Sequence, residues 1–302
     1  YIYPGFIDAH SHFYGFGKTL EQVELKGTAS LEEVIERTQA FAANSQDYWV
    51  HGRGWDQTDW TQKGFPTNTK LNLLFPDRPV ILRRIDGHAA LANQKAMDLA
   101  GIDLQTKVDG GEIEIRNGRL TGILIDNAAD LVLDLIPEPG REAQIRALKK
   151  AQEACFAVGL TTVTDAGLDL DVILLMDSLQ QAKALQMRIY AMANPSTENF
   201  VHWLSRGALE SDLLSLRSFK LYADGALGSR GAKLKEPYCD HHDHQGFWLT
   251  APERLDSICQ LLFQNGFQVN THCIGDSANR LMLETYAKYL APENDMRWRI
   301  EH

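Results

Sequence analysis

From residue 141 to residue 302 the apolar positions switch repeatedly between helical spacing and the two-residue alternation of a strand. Ile145, Leu148, Ala151, Cys155 and Val158 mark one face of a helix, Gly159 ends it, and Leu160 to Asp165 follows as a strand. The unit then returns. A helix over 172–186 feeds a strand over 187–192, and a helical stretch over 200–214 precedes a strand over 218–224. Pro252 opens a helix that Gly266 stops before a strand over 267–272, and a helix over 276–290 leads to a strand over 297–302. With a strand over 6–13 the pattern predicts six strands in a parallel sheet, because strand-helix alternation places successive strands side by side in one direction.

The first connection is different. Ser30 with Glu33 three residues on makes a capping box, and Leu31, Val34, Ile35, Thr38 and Phe41 continue as a helix. Roughly 95 residues then intervene before the Arg141 helix, far more than a crossover needs. They hold their own elements: a strand from Trp49-Val50 into Gly52-Arg53-Gly54-Trp55, an apolar strand over 79–85, and a helix from Ala89 closed by Gly101. A hairpin follows at Asn117-Gly118, between two alternating runs, where the dipeptide suits a type I′ turn. The expected division is therefore barrel strand 1 and its helix at 1–45, an α+β insertion at 46–140 that could roof a pocket, and strands 2–6 at 141–302.

Composition narrows the class of partner. Forty acidic against thirty basic residues give a formal charge of −10, which disfavours nucleic acid and anionic membranes and leaves a small-molecule substrate. No apolar run approaches the roughly 20 residues that span a bilayer. Cys155, Cys239, Cys259 and Cys273 form no Cys-x-x-Cys pair and read as reduced thiols of a cytoplasmic protein. Secretion or a periplasmic location stays open, since a leader could have been removed with the rest of the N-terminus, and so does homo-oligomerisation.

The candidate chemistry sits at strand ends. Strand alternation points Asp8, His10 and His12 the same way, and two imidazoles so spaced can share one divalent ion. His272 closes the fifth strand and His302 the sixth, while Lys220 lies within the fourth with Asp224 at its end. In α/β barrels chemistry gathers at the carboxyl ends of the strands, so four histidines placed there argue for a divalent metal, zinc by preference. The same alternation expects Trp298, Ile300 and His302 to face the lumen, with Arg299 and Glu301 turned to the helices and unaccounted for.

Four runs, Pro4-Gly5-Phe6-Ile7-Asp8-Ala9-His10-Ser11-His12, Phe219 to Leu227, Thr271-His272-Cys273-Ile274-Gly275-Asp276 and Arg299-Ile300-Glu301-His302, together resemble the amidohydrolase superfamily. More narrowly they resemble amidohydrolase family 3, with its YtcJ-like proteins and N-substituted formamide deformylases. Gly52-Arg53-Gly54-Trp55-Asp56 and Asp86-Gly87-His88 extend the likeness into the insertion. The resemblance implies a metal-dependent hydrolase of C–N bonds on an α/β scaffold, the TIM (β/α)8 barrel, incomplete here at about six strands. It implies His10, His12, His272 and His302 as metal ligands, and Lys220 as a lysine carboxylated on its amine to bridge two ions; a plain cation held by Asp224 or by a substrate carboxylate is the alternative. His272, Lys220 and His88 are the implied catalytic groups, the first and last as steadying donors to the oxyanion.

Arg230, Asp224 and His88 are candidates for substrate contact, and Asp8 for orienting a ligand imidazole. His241, His242, Asp243 and His244, in a polar loop after Pro237, read as solvated. The family's β-sandwich has no counterpart, and strands 7 and 8 with the strand-8 aspartate that handles the water's proton are expected outside this chain. The rival readings are a deaminase or phosphoester hydrolase on the same barrel, and a non-catalytic regulator derived from a hydrolase.

Overall fold

The opening strand, β1 (Phe6–Ser11), is shorter than its pattern suggests, and Phe13 already begins a helix, α1 (Phe13–Thr19). The computed structural model describes residues 2–108, 110–227, 230–239 and 242–302. Two units divide the chain: Tyr1–Phe16 with Leu148–His302, and Gly17–Ala147.

In the Gly17–Ala147 unit, β2 (Val23–Glu24), β3 (Val50–Trp55), β4 (Val80–Arg84), β5 (Ala89–Ala92), β6 (Gly111–Arg116) and β7 (Arg119–Asp126) form a sheet in the order β2-β3-β4-β5-β7-β6. Its first three strands run parallel and the rest pair antiparallel. Alternation decides which core each side chain joins. Val80, Leu82 and Ile123 pack on one face with Val50 and Trp55, while Ile81, Ala90 and Leu124 pack on the other with Met97 and Ala128. A strand covered on both faces has no polar positions to spare, and Ala89–Ala92 shows it. These four residues, expected to start a helix, are a fully buried strand; the helix begins only at α4 (Gln94–Leu99), where Asn93 accepts a hydrogen bond from the Ala96 N–H.

The helix predicted from the Ser30 capping box is present as α2 (Leu31–Asn44), with Ser30 Oγ accepting from Glu33 N–H. Its buried Val34, Ile35 and Ala42 join Val23 and Val50 in this second sheet's core, so residues 17–45, expected with the barrel, cluster with the insertion. Two short helices, α3 (Thr69–Leu74) and α5 (Asn127–Leu133), complete the unit. The hairpin turns at Asn117 (φ 53°) and Gly118 (φ 72°), both left-handed as a type I′ turn requires.

The other unit is a nearly closed parallel barrel. After α6 (Arg141–Ala157) come β8 (Leu160–Leu168), α7 (Leu170–Gln181), β9 (Arg188–Ala193), α8 (Thr197–Arg206), β10 (Leu209–Glu210), β11 (Leu214–Tyr222), α9 (Pro252–Gln264), β12 (Gln268–His272), α10 (Asp276–Tyr289) and β13 (Arg299–Glu301). The parallel order is β1-β8-β9-β11-β12-β13, with β10 antiparallel beside β11. On the helix side β11 and β12 present Phe219, stacked on Phe200 of α8, and Thr271, bonded to Tyr286 of α10.

The opposite face is polar: Tyr190, Ser218, Lys220, Gln268, Asn270, Arg299 and Glu301. Tyr190 donates to Gln268, Gln268 to the Arg297 carbonyl, and Arg299 Nε to Asn270 Oδ1 at 3.3 Å. Branched aliphatic side chains fill an ordinary barrel, and burying polar groups instead costs stability, so this interior is organised for something other than packing. Trp298 corrects the expected facing of the last strand: its ring lies against Tyr286 and Phe263 in the helix layer, which turns Arg299 and Glu301 inward. Among the described residues no helix is long and apolar enough to cross a membrane, and all four cysteines are free.

Candidate metal centre

Parallel pairing brings the carboxyl ends of the barrel strands to one rim, and with them four imidazoles. His10 belongs to β1, His12 follows it, His272 ends β12 and His302 follows β13. The rings meet edge-on: His10 and His302 have centroids 4.6 Å apart, His272 and His302 4.8 Å, His10 and His12 5.7 Å. His302 reaches the group through a left-handed backbone (φ 74°), which breaks the strand's alternation and lets neighbouring residues Glu301 and His302 both point to the same cluster.

Three of the rings are held from behind. His10 Nδ1 is 2.5 Å from Glu301 Oε2, His12 Nδ1 is 2.9 Å from the Ala166 carbonyl, and His272 is bonded to the Gly225 backbone. A carboxylate and a carbonyl only accept, so Nδ1 of His10 and His12 carries a proton, which leaves Nε2 as the nitrogen through which either ring could bind a cation. The Nε2 atoms of His10 and His272 are buried with no hydrogen-bond partner. Burial lowers the pKa of His12 and of His272, helped by the positive charge of Lys220 nearby, and burial with the neighbouring imidazoles lowers that of His302. Each shift favours the neutral ring, the form that can offer a lone pair to a cation.

Lys220 is 1% exposed, with Nζ 4.4 Å from the centre of the Tyr222 ring. Burial pulls its amine below the usual lysine range, and the Glu301 carboxylate pulls in the other direction. Glu301 is the residue that sequence reasoning missed. Its second oxygen lies 2.9 Å from Arg299 Nη2, so one buried carboxylate ties β13 to β1. The signal was polarity matching: β12–β13 register sets Asn270 beside Arg299 and His272 beside Glu301. We expect Glu301→Gln to lower the affinity of the intact protein for a divalent ion by about 10–100-fold, the usual cost of losing a partner that orients a ligand histidine. Competition with a chromophoric chelator measures this, and an unchanged affinity would refute the role.

Asp8 was expected to do what Glu301 does. Its carboxylate accepts instead from the backbone N–H of His10 at 3.1 Å, and it lines a cleft with Phe16, Cys155 and Val158. The register explains the loss of a shared face. Asp8 pairs with Val163 and Ser11 with Asp165, so three steps on β1 match two on β8, as in a bulge.

Asp224, a candidate substrate contact, is 0% exposed and accepts three backbone N–H groups: Ile274 (2.9 Å), Gly275 (2.7 Å) and Lys233 (2.7 Å). It braces the loop that follows His272, whose Nε2 stands 3.9 Å away. Arg230 is exposed, with a left-handed backbone (φ 57°), and its carbonyl lies 2.8 Å from His244 Nε2. His241 of the loop cluster lies outside the described residues. His88 belongs to the other unit; its Nδ1 is 2.8 Å from Asp126 Oδ1, with the ring side chain 74% exposed.

Among the described residues no three His, Cys, Asp or Glu side chains already form a metal-holding group. The donors nevertheless fit one. Four imidazoles converge, three of them are held from behind, and two forward nitrogens are buried without partners, an arrangement that a cation would satisfy.

The sequence as a whole answers to one set of proteins: residues 1–302 match the Amidohydrolase family from end to end. The chain belongs to that family. Its relatives include YtcJ of Bacillus subtilis (strain 168), 31% identical over 312 residues, covering 100% of this chain and 58% of that protein. The N-substituted formamide deformylase of Arthrobacter pascens is 26% identical over 318 residues, covering 100% and 58%. Among solved structures, an uncharacterized metal-dependent hydrolase from Pyrococcus furiosus superposes with a TM-score of 0.79 at 28% identity, over 99% of this chain and 60% of that one. This amidohydrolase chain thus spans a little over half the length of the relatives it matches.

Proposed function

We propose that this amidohydrolase chain carries the metal-holding residues of a site that hydrolyses a C–N bond, of an amide or formamide type, in a small molecule. The observation that supports the reading most is the pair of buried, partnerless Nε2 atoms of His10 and His272 among four converging imidazoles. His10, His12, His272 and His302 would hold a divalent ion, zinc by preference because neutral imidazole suits it. Such an ion, when bound, supplies an acidified water and polarisation of the scissile carbonyl.

The chain's own residues do the rest. Glu301 and the Ala166 carbonyl fix the ring orientations, and Asp224 holds the loop beside His272. Lys220 is buried among these groups, and burial pulls its amine below the usual lysine range; joined to carbon dioxide as a carbamate, with release of a proton, it would add an anionic ligand and favour two ions, as a free amine one. A formamide-type substrate is favoured by the likeness to the Arthrobacter deformylase. The net charge of −10 favours small ligands over polyanions, and the four free thiols fit a reducing, cytoplasmic setting.

Elemental analysis of the intact protein with a chelator titration tests the proposal. We expect one or two equivalents of transition metal and loss of turnover on its removal. Less than about half an equivalent, with activity indifferent to chelators, would overturn it. A panel of formamides, cyclic amides, aminopurines and aryl phosphates then separates C–N hydrolysis from deamination and phosphoester cleavage.

A further inference from the structure

The Gly17–Ala147 unit holds a second concentration of charge that the barrel chemistry does not use. β3 and β4 are parallel neighbours whose register sets Arg53 directly beside Arg83. Like charges opposed across a sheet weaken it unless something neutralises them. Both side chains turn to the same bend: Arg53 Nη2 donates to the Ile85 carbonyl at 3.1 Å and Arg83 Nη2 to the Gly87 carbonyl at 3.0 Å. The same two nitrogens lie 3.6 and 3.4 Å from the point where a side chain on Gly87 would begin, so both guanidiniums border the space that this glycine leaves open.

The adjacent Arg84 shows what full pairing looks like here. Its Nε reaches Gln57 Oε1 at 2.9 Å, Nη1 reaches Asp86 Oδ2 at 2.5 Å and Nη2 reaches Asp56 Oδ1 at 2.9 Å. That takes up the carboxylates of the bend. Among the described residues neither Arg53 nor Arg83 has a carboxylate partner, and Arg83 Nε is buried with no acceptor. Arg53 also lines, with Lys26, Glu24 and Gly54, a cleft of about 320 Å³; the Glu24 carboxylate there accepts from the Lys26 backbone N–H at 2.8 Å.

We propose that Arg53 and Arg83 form a binding site for an oxyanion group with at least two acceptor oxygens, a carboxylate or a phosphate, borne by a small ligand. Two planar forks side by side match such a group geometrically, and the forked donors of arginine bind it through paired, charge-assisted hydrogen bonds. The site stands apart from the metal reading and does not depend on it.

Calorimetric titration of the intact protein, at fixed ionic strength in chloride, with inorganic phosphate and separately with malonate tests it. We expect saturable uptake of one equivalent of at least one probe. Arg53→Gln and Arg83→Gln should each weaken it about tenfold or more, the equivalent of one charge-assisted hydrogen bond. Arg53→Lys, keeping the charge without the fork, should fall between. Uptake of phosphate alone assigns a phosphoryl ligand, and of malonate alone a carboxylate. No saturable uptake of either probe overturns the proposal. So does uptake that survives in the glutamine variants, including uptake that a chelator abolishes, which belongs to a metal. Should Arg83→Gln fail to fold, the exposed Arg53 carries the test, with far-UV circular dichroism confirming its structure.

Discussion

Turnover by the intact protein is expected to collapse when His10 and His12 are both replaced by alanine, with the fold retained. Losing a group that merely orients a ligand costs about 10–100-fold, and losing two direct ligands together should exceed the upper end of that range. The fold should survive because both rings lie at the barrel rim rather than among its helices, and Glu301, deprived of His10, keeps Arg299 at 2.9 Å. The measurement is steady-state turnover with metal content and thermal unfolding on the same preparations. Retained turnover, or metal content unchanged in the double variant, would remove these residues from the centre. A regulator descended from a hydrolase should keep its effect in the same variant, so the experiment also separates the two classes of function.

The largest effect on stability should come from Asp224. Its carboxylate, wholly buried, serves three backbone N–H groups at 2.7–2.9 Å, from Lys233, Ile274 and Gly275. Asp224→Ala strands all three donors away from water, and a buried polar group left unpaired costs about 1–3 kcal/mol. The sum, allowing for relaxation, is expected to exceed about 3 kcal/mol, which for a protein of this size lowers the midpoint of unfolding by several degrees. Asp224→Asn should be milder, because one amide oxygen can still accept while the NH2 faces donors. Since Ile274 and Gly275 lie two and three residues beyond His272 at the end of β12, turnover should fall with stability in the alanine variant. A midpoint equal to that of the parent protein would show that the bracket contributes nothing.

Much of this architecture is legible in the order of residues. The six parallel strands, the Asn117-Gly118 hairpin and the Ser30 helix start all rest on local rules: period, turn chemistry and capping. What local rules do not tell is which layer receives an amphipathic face. The helix over Leu31–Asn44 has the same periodicity whether it covers a barrel or another sheet, and only the packing of Val34 and Ile35 on Val23 and Val50 decides. Ala89–Ala92 has small side chains that suit helix and buried strand alike, and hydrogen bonding to both β4 and β7 settles it. At the centre the imidazoles were legible because strand ends are, whereas Glu301 was assigned to the wrong face. Alternation carried backwards from His302 assumes an unbroken strand, and the left-handed backbone at that residue breaks it.

The carbonyl and carboxylate behind the His12 and His10 rings have one more consequence. With the rear nitrogen already protonated, an added hydrogen ion has only the forward nitrogen to occupy, the same atom a cation would use. Acid and metal are thus competitors for one lone pair, and because burial lowers the pKa of His12 and His272, the proton begins to compete there only at lower pH. Release on acidification should come at a lower pH than exposed histidines would give.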